Sequence, residues 1–448
     1  MRSDRTRTAT QDLSAMGPET TLGLVIAHHP EVRYLDSSVV LDEAERLVLG
    51  REGAGFVPDA LDDSRISRKH VSVRRRGLSL EVADLGSHNG TTVNGMPAEC
   101  AVVTPGDVIG IGPVLLLVQE VAASQAVVGH PRLVGTSTAL AEALRLVDRF
   151  GPTDVPVLIL GESGVGKELL GREVHRSSGR AGPLVTVNCA TLADGVVQSE
   201  LFGHVRGAFS GAGRPRRGLV DQARGGTLFL DEIGESSPAL QANLLRLVQE
   251  REIRPVGSDV TVEIDVRFVF ATNRPLAEAV RAGSFREDLY ARLNRGVIRM
   301  PPLRERREDI LPLARHFVTP MNEDPIPLSQ GLALALLRHD WPGNARALQG
   351  IMERLVLAHG DGESLPSPSW LDAELSEHAR VMPPSSSPAT PAPGRTKKRF
   401  KPTAEELTSL LETHDGNITA LAEALGIGRN TVYRWIKRLG LEREGHRN

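Results

Sequence analysis

The run VPVLIL–GESGVGKE–LLGREVH, Val155 to His175, constrains this chain more than any other stretch. An apolar segment of strand length feeds a glycine loop, and the loop feeds a helical pattern. That order is what a phosphate cradle requires. Glycines let backbone N–H groups turn toward phosphates, and the helix start adds positive potential. The loop holds Gly161, Glu162, Ser163, Gly164, Val165 and Gly166, and Lys167 stands where an ammonium reaches the outer phosphates. The usual pattern has Ser or Thr after the lysine to hold Mg2+, but here the residue is Glu168. Two further runs suit the ligand edge of a parallel sheet, at the carboxyl ends of its strands. TLFL ends in Asp231 and Glu232, acids that can divide between a metal and an attacking water. VRFVFATN ends in the polar tip Thr272–Asn273. A nucleotide and a divalent metal such as Mg2+ are the ligands this pattern predicts.

The chain of 448 residues is too long for a single core. Residues 1–21 read as a disordered tail. Residues 22–120 show short alternating runs and HNG and NG turn signals, a β pattern. After a linker at 121–131, residues 132–365 alternate strand-like and helical stretches, the rhythm of a parallel sheet. Residues 366–400 contain the Pro/Ser-rich MPPSSSPATPAPGR and read as a semi-extended linker. Residues 401–448 form a small helical unit. The net charge of −3 indicates no partner, yet residues 395–448 carry eleven Lys/Arg against seven Asp/Glu. Cys100 and Cys189 are the two cysteines and have no metal spacing, which fits a reducing compartment. The polar N-terminus is no signal peptide, and no apolar run is long enough to span a bilayer, so a cytoplasmic location is expected. Arginine makes up most of the 53 basic residues, so no single arginine is informative outside its motif.

Seven motifs then appear in order: GESGVGKE, NCATL, SELFGHVRGAFSGA, GGTLFLDEIGE, FREDLYARLN, PPLRERREDI and WPGNARAL. Over roughly residues 132–360 the chain resembles bacterial enhancer-binding proteins, the AAA+ ATPases that activate RNA polymerase carrying sigma-54. The resemblance implies that Gly207, Ala208, Phe209, Ser210, Gly211 and Ala212 form a surface loop that contacts sigma-54. Glycine and alanine permit a large backbone swing, and an exposed phenyl ring offers apolar contact. The family usually has Thr at the position of Ser210, and it normally carries Glu at the position of Glu168. By the same resemblance Asp231 holds Mg2+, Glu232 polarises water, Asn188 is a switch pairing with Glu232, and Asn273 senses the γ-phosphate. Arg286 and Arg292 are fingers reaching a neighbour's site, although a spacing of six places them on different helical faces. Arg346 is the arginine of a lid at about 302–365, with Ala347 where the family usually has Glu. Fingers acting in trans imply a ring, by resemblance a hexamer.

The N-terminal segment resembles a forkhead-associated (FHA) domain through LVLGRE, SRKH and SHNGTTVNG. The resemblance implies phosphothreonine binding by Arg51, Ser67, Arg68 and Asn89, with His70 shaping the loop. A forked guanidinium and a hydroxyl suit a near-dianionic phosphate. The alternatives are a β-sandwich that has lost phosphate binding and a basic surface, RISRKHVSVRRR, that touches nucleic acid. The last segment reads as a helix-turn-helix: Thr403 and Glu406 form a capping box, and Ile418, Leu421, Ala422, Leu425 and then Val432, Ile436, Leu439 form apolar stripes. Its polar face offers Arg429, Asn430, Thr431, Tyr433, Arg434, Lys437 and Arg438 to a major groove. It resembles the Fis-type domain that ends enhancer-binding proteins. The expected architecture is multidomain: a β-sandwich, an α/β P-loop ATPase with a small helical lid, and an all-α helix-turn-helix. The expected function is ATP-driven activation of sigma-54 polymerase from enhancer-like DNA, under phosphothreonine control. The alternative is a phosphopeptide-reading DNA-binding regulator whose ATPase controls only assembly.

Overall fold

The computed structural model describes residues 20–43, 46–52, 55–122, 132–191, 197–209, 212, 214–319, 327–359, 365 and 371. The chain divides into two compact units, residues 1–385 and 386–448. The second unit, with the helix-turn-helix residues named above, lies outside the described residues, as does the tail before Thr20.

The N-terminal part is an antiparallel β-sandwich. Its strands are β1 (Thr20–His28), β2 (Ser38–Val40), β3 (Arg46–Leu49), β4 (Val71–Arg76), β5 (Ser79–Asp84), β6 (Thr91–Val93), β7 (Met96–Pro97), β8 (Cys100–Val103), β9 (Val108–Ile111) and β10 (Val114–Ala122). One sheet has six strands in the order β2-β1-β10-β9-β6-β7, and the other has four in the order β3-β4-β5-β8. β10 runs through residues 121 and 122, so the linker read from sequence begins later than expected. Alternate side chains of a strand point to opposite faces. Val114, Leu116 and Val118 of β10 accordingly join Ile109 and Ile111 in the sandwich core. The opposite face, Leu115 and Leu117 with Val108, is equally buried, but in a different cluster shared with the lid.

The central part contains strands β11 (Val157–Leu160), β12 (Leu184–Asn188), β13 (Gly203–His204), β14 (Arg216–Arg217), β15 (Thr227–Asp231), β16 (Glu252–Ile253), β17 (Val262–Glu263), β18 (Arg267–Thr272) and β19 (Gly296–Arg299). Its helices are α1 (Thr138–Phe150), α2 (Lys167–Ser177), α3 (Val197–Phe202), α4 (Leu219–Gln222), α5 (Pro238–Glu250), α6 (Leu276–Arg281) and α7 (Glu287–Leu293). Five strands form a parallel sheet in the order β12-β15-β18-β11-β19. Both faces of the sheet are covered, which is why its strands read as unbroken apolar runs. Leu228, Leu230, Phe268 and Phe270 pack on one side, and Phe229, Val269 and Ala271 on the other. Helix α2 lies so close to the sheet that a Cβ at Gly171 would come within 2.4 Å of the Phe229 ring. A glycine in the middle of a helix costs about 1 kcal/mol relative to alanine, and this contact accounts for it.

The lid follows as α8 (Ile310–Val318), α9 (Gln330–Arg338) and α10 (Asn344–His359). It packs around the fully buried Trp341, whose indole N–H donates to the Leu336 carbonyl at 2.9 Å. Ser329 caps α9 by accepting from the Leu332 N–H.

Candidate functional site

The glycine loop, residues 161–166, joins β11 to α2 at the carboxyl edge of the parallel sheet, as its sequence order predicts. Gly164 and Gly166 adopt left-handed φ values of 76° and 106°, which a residue with a Cβ reaches only under strain. Lys167 opens α2 and is 6% exposed. Its ammonium donates to the carbonyls of Gly161 and Glu162 at 3.1 and 3.2 Å and lies 3.6 Å from Glu232 Oε1. Glu168 faces outward and pairs with Arg172 at 2.7 Å.

Asp231 ends β15, and its Oδ1 accepts from the Glu232 N–H at 2.9 Å. Glu232 has φ of 51°, a left-handed conformation rare for a residue with a side chain. That turn swings its carboxylate toward Lys167 and toward the Asn273 N–H, which donates to Oε2 at 3.4 Å. Asn188 lies directly across from Asp231 in the β12–β15 register. Its amide oxygen accepts from the Ala190 N–H at 2.9 Å, so it folds onto its own turn and does not meet Glu232 in this structure. The neighbouring Cys189 is buried, and burial together with Asp231 and Glu232 pushes its thiol up to about 12. It is an inert, neutral thiol at physiological pH.

The lid closes on the loop from above, mostly through residues to which the motif reading gave no role. Arg304 donates twice to the Glu162 carboxylate, at 2.9 and 2.6 Å. Buried Asn344 donates to Glu162 Oε2 at 3.1 Å and to the Ser163 carbonyl at 3.0 Å. Arg306, also buried, donates to the Val165 carbonyl at 2.8 Å. The Arg346 guanidinium donates to the Ser163 hydroxyl at 3.3 Å, and its backbone N–H donates to the Gly164 carbonyl at 3.4 Å. The usable signal was Glu162 itself: a carboxylate inside a phosphate cradle needs a cation of its own to hold it aside.

The two finger candidates stand at opposite ends of α7. Arg286 caps α7 and forms a forked pair with Asp288 at 3.0 and 2.7 Å. Arg292 lies in the last turn of α7 and lines a cleft of about 360 Å3 with Arg251, Arg295 and Asp154.

Phe209 is 45% exposed. Its ring meets His204 edge-on at 5.0 Å, and that imidazole is clamped between the Ser199 hydroxyl at 2.7 Å and the Arg214 carbonyl at 3.1 Å. The turn is tight: the Gly207 N–H donates to the Ala212 carbonyl at 2.8 Å, and Ala212 donates back to Phe209 at 3.0 Å. Ala208 lies beside Gly257. Ser210 and Gly211 lie outside the described residues.

In the sandwich, Arg51, Ser67, Arg68 and Asn89 cluster on the β3–β4 and β5–β6 loops. The Arg51 N–H donates to the Ser67 carbonyl at 3.1 Å, and the Ser67 hydroxyl accepts from the His88 N–H at 3.0 Å. Asn89 donates to the Arg65 carbonyl at 2.8 Å, and exposed Arg68 faces Glu52 at 3.4 Å. Fully buried His70 ties the loops together between the Ser67 N–H and the Gly90 carbonyl, each at 3.1 Å. Among the described residues no cluster of three or more His, Cys, Asp or Glu could hold a metal, and no helix is long and apolar enough to cross a membrane.

Comparison with known proteins gives four family matches along the chain. Residues 47–112 match the FHA domain, 133–299 the sigma-54 interaction domain, 304–388 the AAA+ ATPase lid domain, and 404–439 the bacterial regulatory proteins of the Fis family. The transcriptional regulatory protein ZraR of Klebsiella oxytoca is 44% identical over 315 residues, 68% of each chain. The anaerobic nitric oxide reductase transcription regulator NorR of Aeromonas hydrophila is 43% identical over 330 residues, covering 70% of this chain and 64% of that one. Among solved structures, NtrX from Brucella abortus superposes with a TM-score of 0.51 at 34% identity, covering 68% of this chain and 69% of its own.

Proposed function

We propose a function that starts from one premise: this chain belongs to the sigma-54-dependent transcriptional activators, proteins built on an AAA+ ATPase. In this reading the chain binds enhancer-like DNA through its C-terminal helices, hydrolyses ATP between protomers of a hexameric ring, and uses the stroke to remodel sigma-54 polymerase. It works in the cytoplasm, and a phosphothreonine protein or Ser/Thr kinase docked on the FHA domain controls it.

The observation that carries the reading is convergence. Lys167, Asp231, Glu232, Asn188 and Asn273, from the ends of three strands and a helix start, reach one sheet edge beneath the lid. The loop N–H groups of 161–166 and the Lys167 ammonium hold the ATP phosphates. Asp231 offers a hard oxygen of the kind Mg2+ prefers, and Mg2+ keeps most of its remaining sites for water and phosphate. When bound, the ion neutralises charge developing on the transferred phosphoryl group. Glu232 orients the attacking water once nucleotide draws Lys167 away from it. Asn188 turns from its Ala190 contact to restrain Glu232 in the idle state, and Asn273 reports the γ-phosphate. Arg292, and Arg286 after leaving Asp288, enter the neighbouring protomer's site, while Arg346 reads the phosphates from the lid. Phe209 and its loop touch sigma-54. Arg429, Asn430, Thr431, Tyr433, Arg434, Lys437 and Arg438 face the DNA.

Two measurements test the reading. Full-length protein trapped with ADP and a metal-fluoride phosphate mimic is expected to form a stable complex with purified sigma-54. A trapped ring that ignores sigma-54 would favour a regulator whose ATPase governs assembly alone. For the sensor, Arg51→Ala is expected to weaken phosphothreonine peptide binding by about 10- to 100-fold, the worth of a charge-assisted forked contact. Its ATPase stays native. Unchanged peptide affinity would remove Arg51 from the site.

A further inference from the structure

We propose that the FHA domain braces the lid over the nucleotide loop and thereby slows nucleotide release. The seam between them is built like an interior. Val108, Leu115 and Leu117 of the sandwich share one buried cluster with Leu311, Leu332 and Leu336 of the lid. Two hydrogen bonds fasten its ends. Gln330 at the start of α9 donates to the Gly112 carbonyl at 2.9 Å, and Arg315 of α8 donates to the Ala27 carbonyl at 3.1 Å. Between them Leu334 closes on Gly95, and Arg307 lies along Gly106. Burial lowers the basicity of Arg315, and Asp36 of the sandwich offsets part of that cost.

The same strand, β10, also lies beside α1 of the ATPase core. The sandwich therefore touches both sides of the joint between core and lid. At that joint Asp309 is fully buried and accepts from the Thr136 N–H, the Ser137 N–H and the Ser137 hydroxyl at 2.7, 3.0 and 2.7 Å. Beyond it, Arg304, Arg306, Asn344 and Arg346 hold the loop at 162–165. A nucleotide seated in that loop leaves after these contacts lift. Because the sandwich spans the joint, lifting the lid shears a buried seam, where lost hydrogen bonds are not recovered from water until the seam opens. Lid opening sets the exchange rate in many nucleotide enzymes, and here an N-terminal domain loads that step.

The test follows release of a fluorescent mant-ADP from the full-length protein by stopped flow. Gln330→Ala is expected to speed release about five-fold, the equivalent of one net hydrogen bond. Leu334→Ala is expected to speed it as well. Leu357→Ala, on an exposed part of α10, is expected to keep the native rate. Circular dichroism melts establish that each variant is folded. Native release rates in both seam variants would overturn the proposal, as would equal acceleration in Leu357→Ala. The inference rests on the ATPase and not on phosphothreonine recognition, so a chain indifferent to phosphothreonine peptides leaves it standing.

Discussion

Replacing Lys167 with alanine is expected to lower ATP hydrolysis by about three orders of magnitude, the scale of losing one preorganised electrostatic contact to a transferring group. The reasoning starts from burial. An ammonium 6% exposed is held there by the carbonyls of Gly161 and Glu162 and by Glu232. Those partners orient it without neutralising it fully, so it is ready to exchange them for phosphate oxygens. Its loss removes a phosphate contact and also the ammonium beside Glu232, which then keeps the Asn273 N–H but loses that cation. Both changes disfavour an anionic substrate. DNA binding through residues 401–448 is expected to persist, because Lys167 lies in the other of the two units. Steady-state phosphate release and a DNA mobility shift read the two arms. A variant keeping a tenth of native turnover would mean that Lys167 does not carry the phosphate contact.

Phe209→Gly is expected to abolish capture of sigma-54 by the metal-fluoride-trapped ring while ATP turnover stays within about two-fold of native. Aromatic anchors at interfaces are worth about 2–4 kcal/mol or more, which corresponds to about 30- to 1000-fold in affinity. The edge-on contact with His204 does not protect the ring from a partner. Such aromatic pairs contribute about 0.5–1.5 kcal/mol beyond burial, less than an anchor pocket returns. The clamp on His204 gives the ring a defined resting position and leaves 45% of Phe209 exposed. Phe209→Leu is expected to retain part of the capture, since it keeps apolar area and loses the ring. Full capture by Phe209→Gly would remove the phenyl group from the contact.

The nucleotide edge was legible because its chemistry is local in sequence. Strand, glycine loop and helix follow one another between Val155 and His175, while Asp231 ends one apolar strand and Asn273 directly follows another. The lid contacts were not legible in the same way. Arg304 and Asn344 act on Glu162 from about 140 and 180 positions away, and within PPLRERREDI nothing separates Arg304 from the arginines beside it. The seam left a trace that went unread. VLLLV in β10 is apolar at every position, whereas a sandwich strand with one wet face alternates. Unbroken apolarity in an antiparallel strand means that a second surface covers its outer side. The backbone of Glu232 was beyond sequence reasoning, since no local rule forces a glutamate into a left-handed turn; the surrounding sheet edge holds it there.

The shared seam also governs how the protein can be cut. Removing residues 20–122 would strip the cover from Leu311, Leu332 and Leu336, and the freed N-terminal piece would present Val108, Leu115 and Leu117 to water. Each fragment would carry an oily scar prone to clumping. Truncation therefore confounds a missing signal with a damaged surface, and single side-chain swaps along the join are the cleaner instrument for dissecting control.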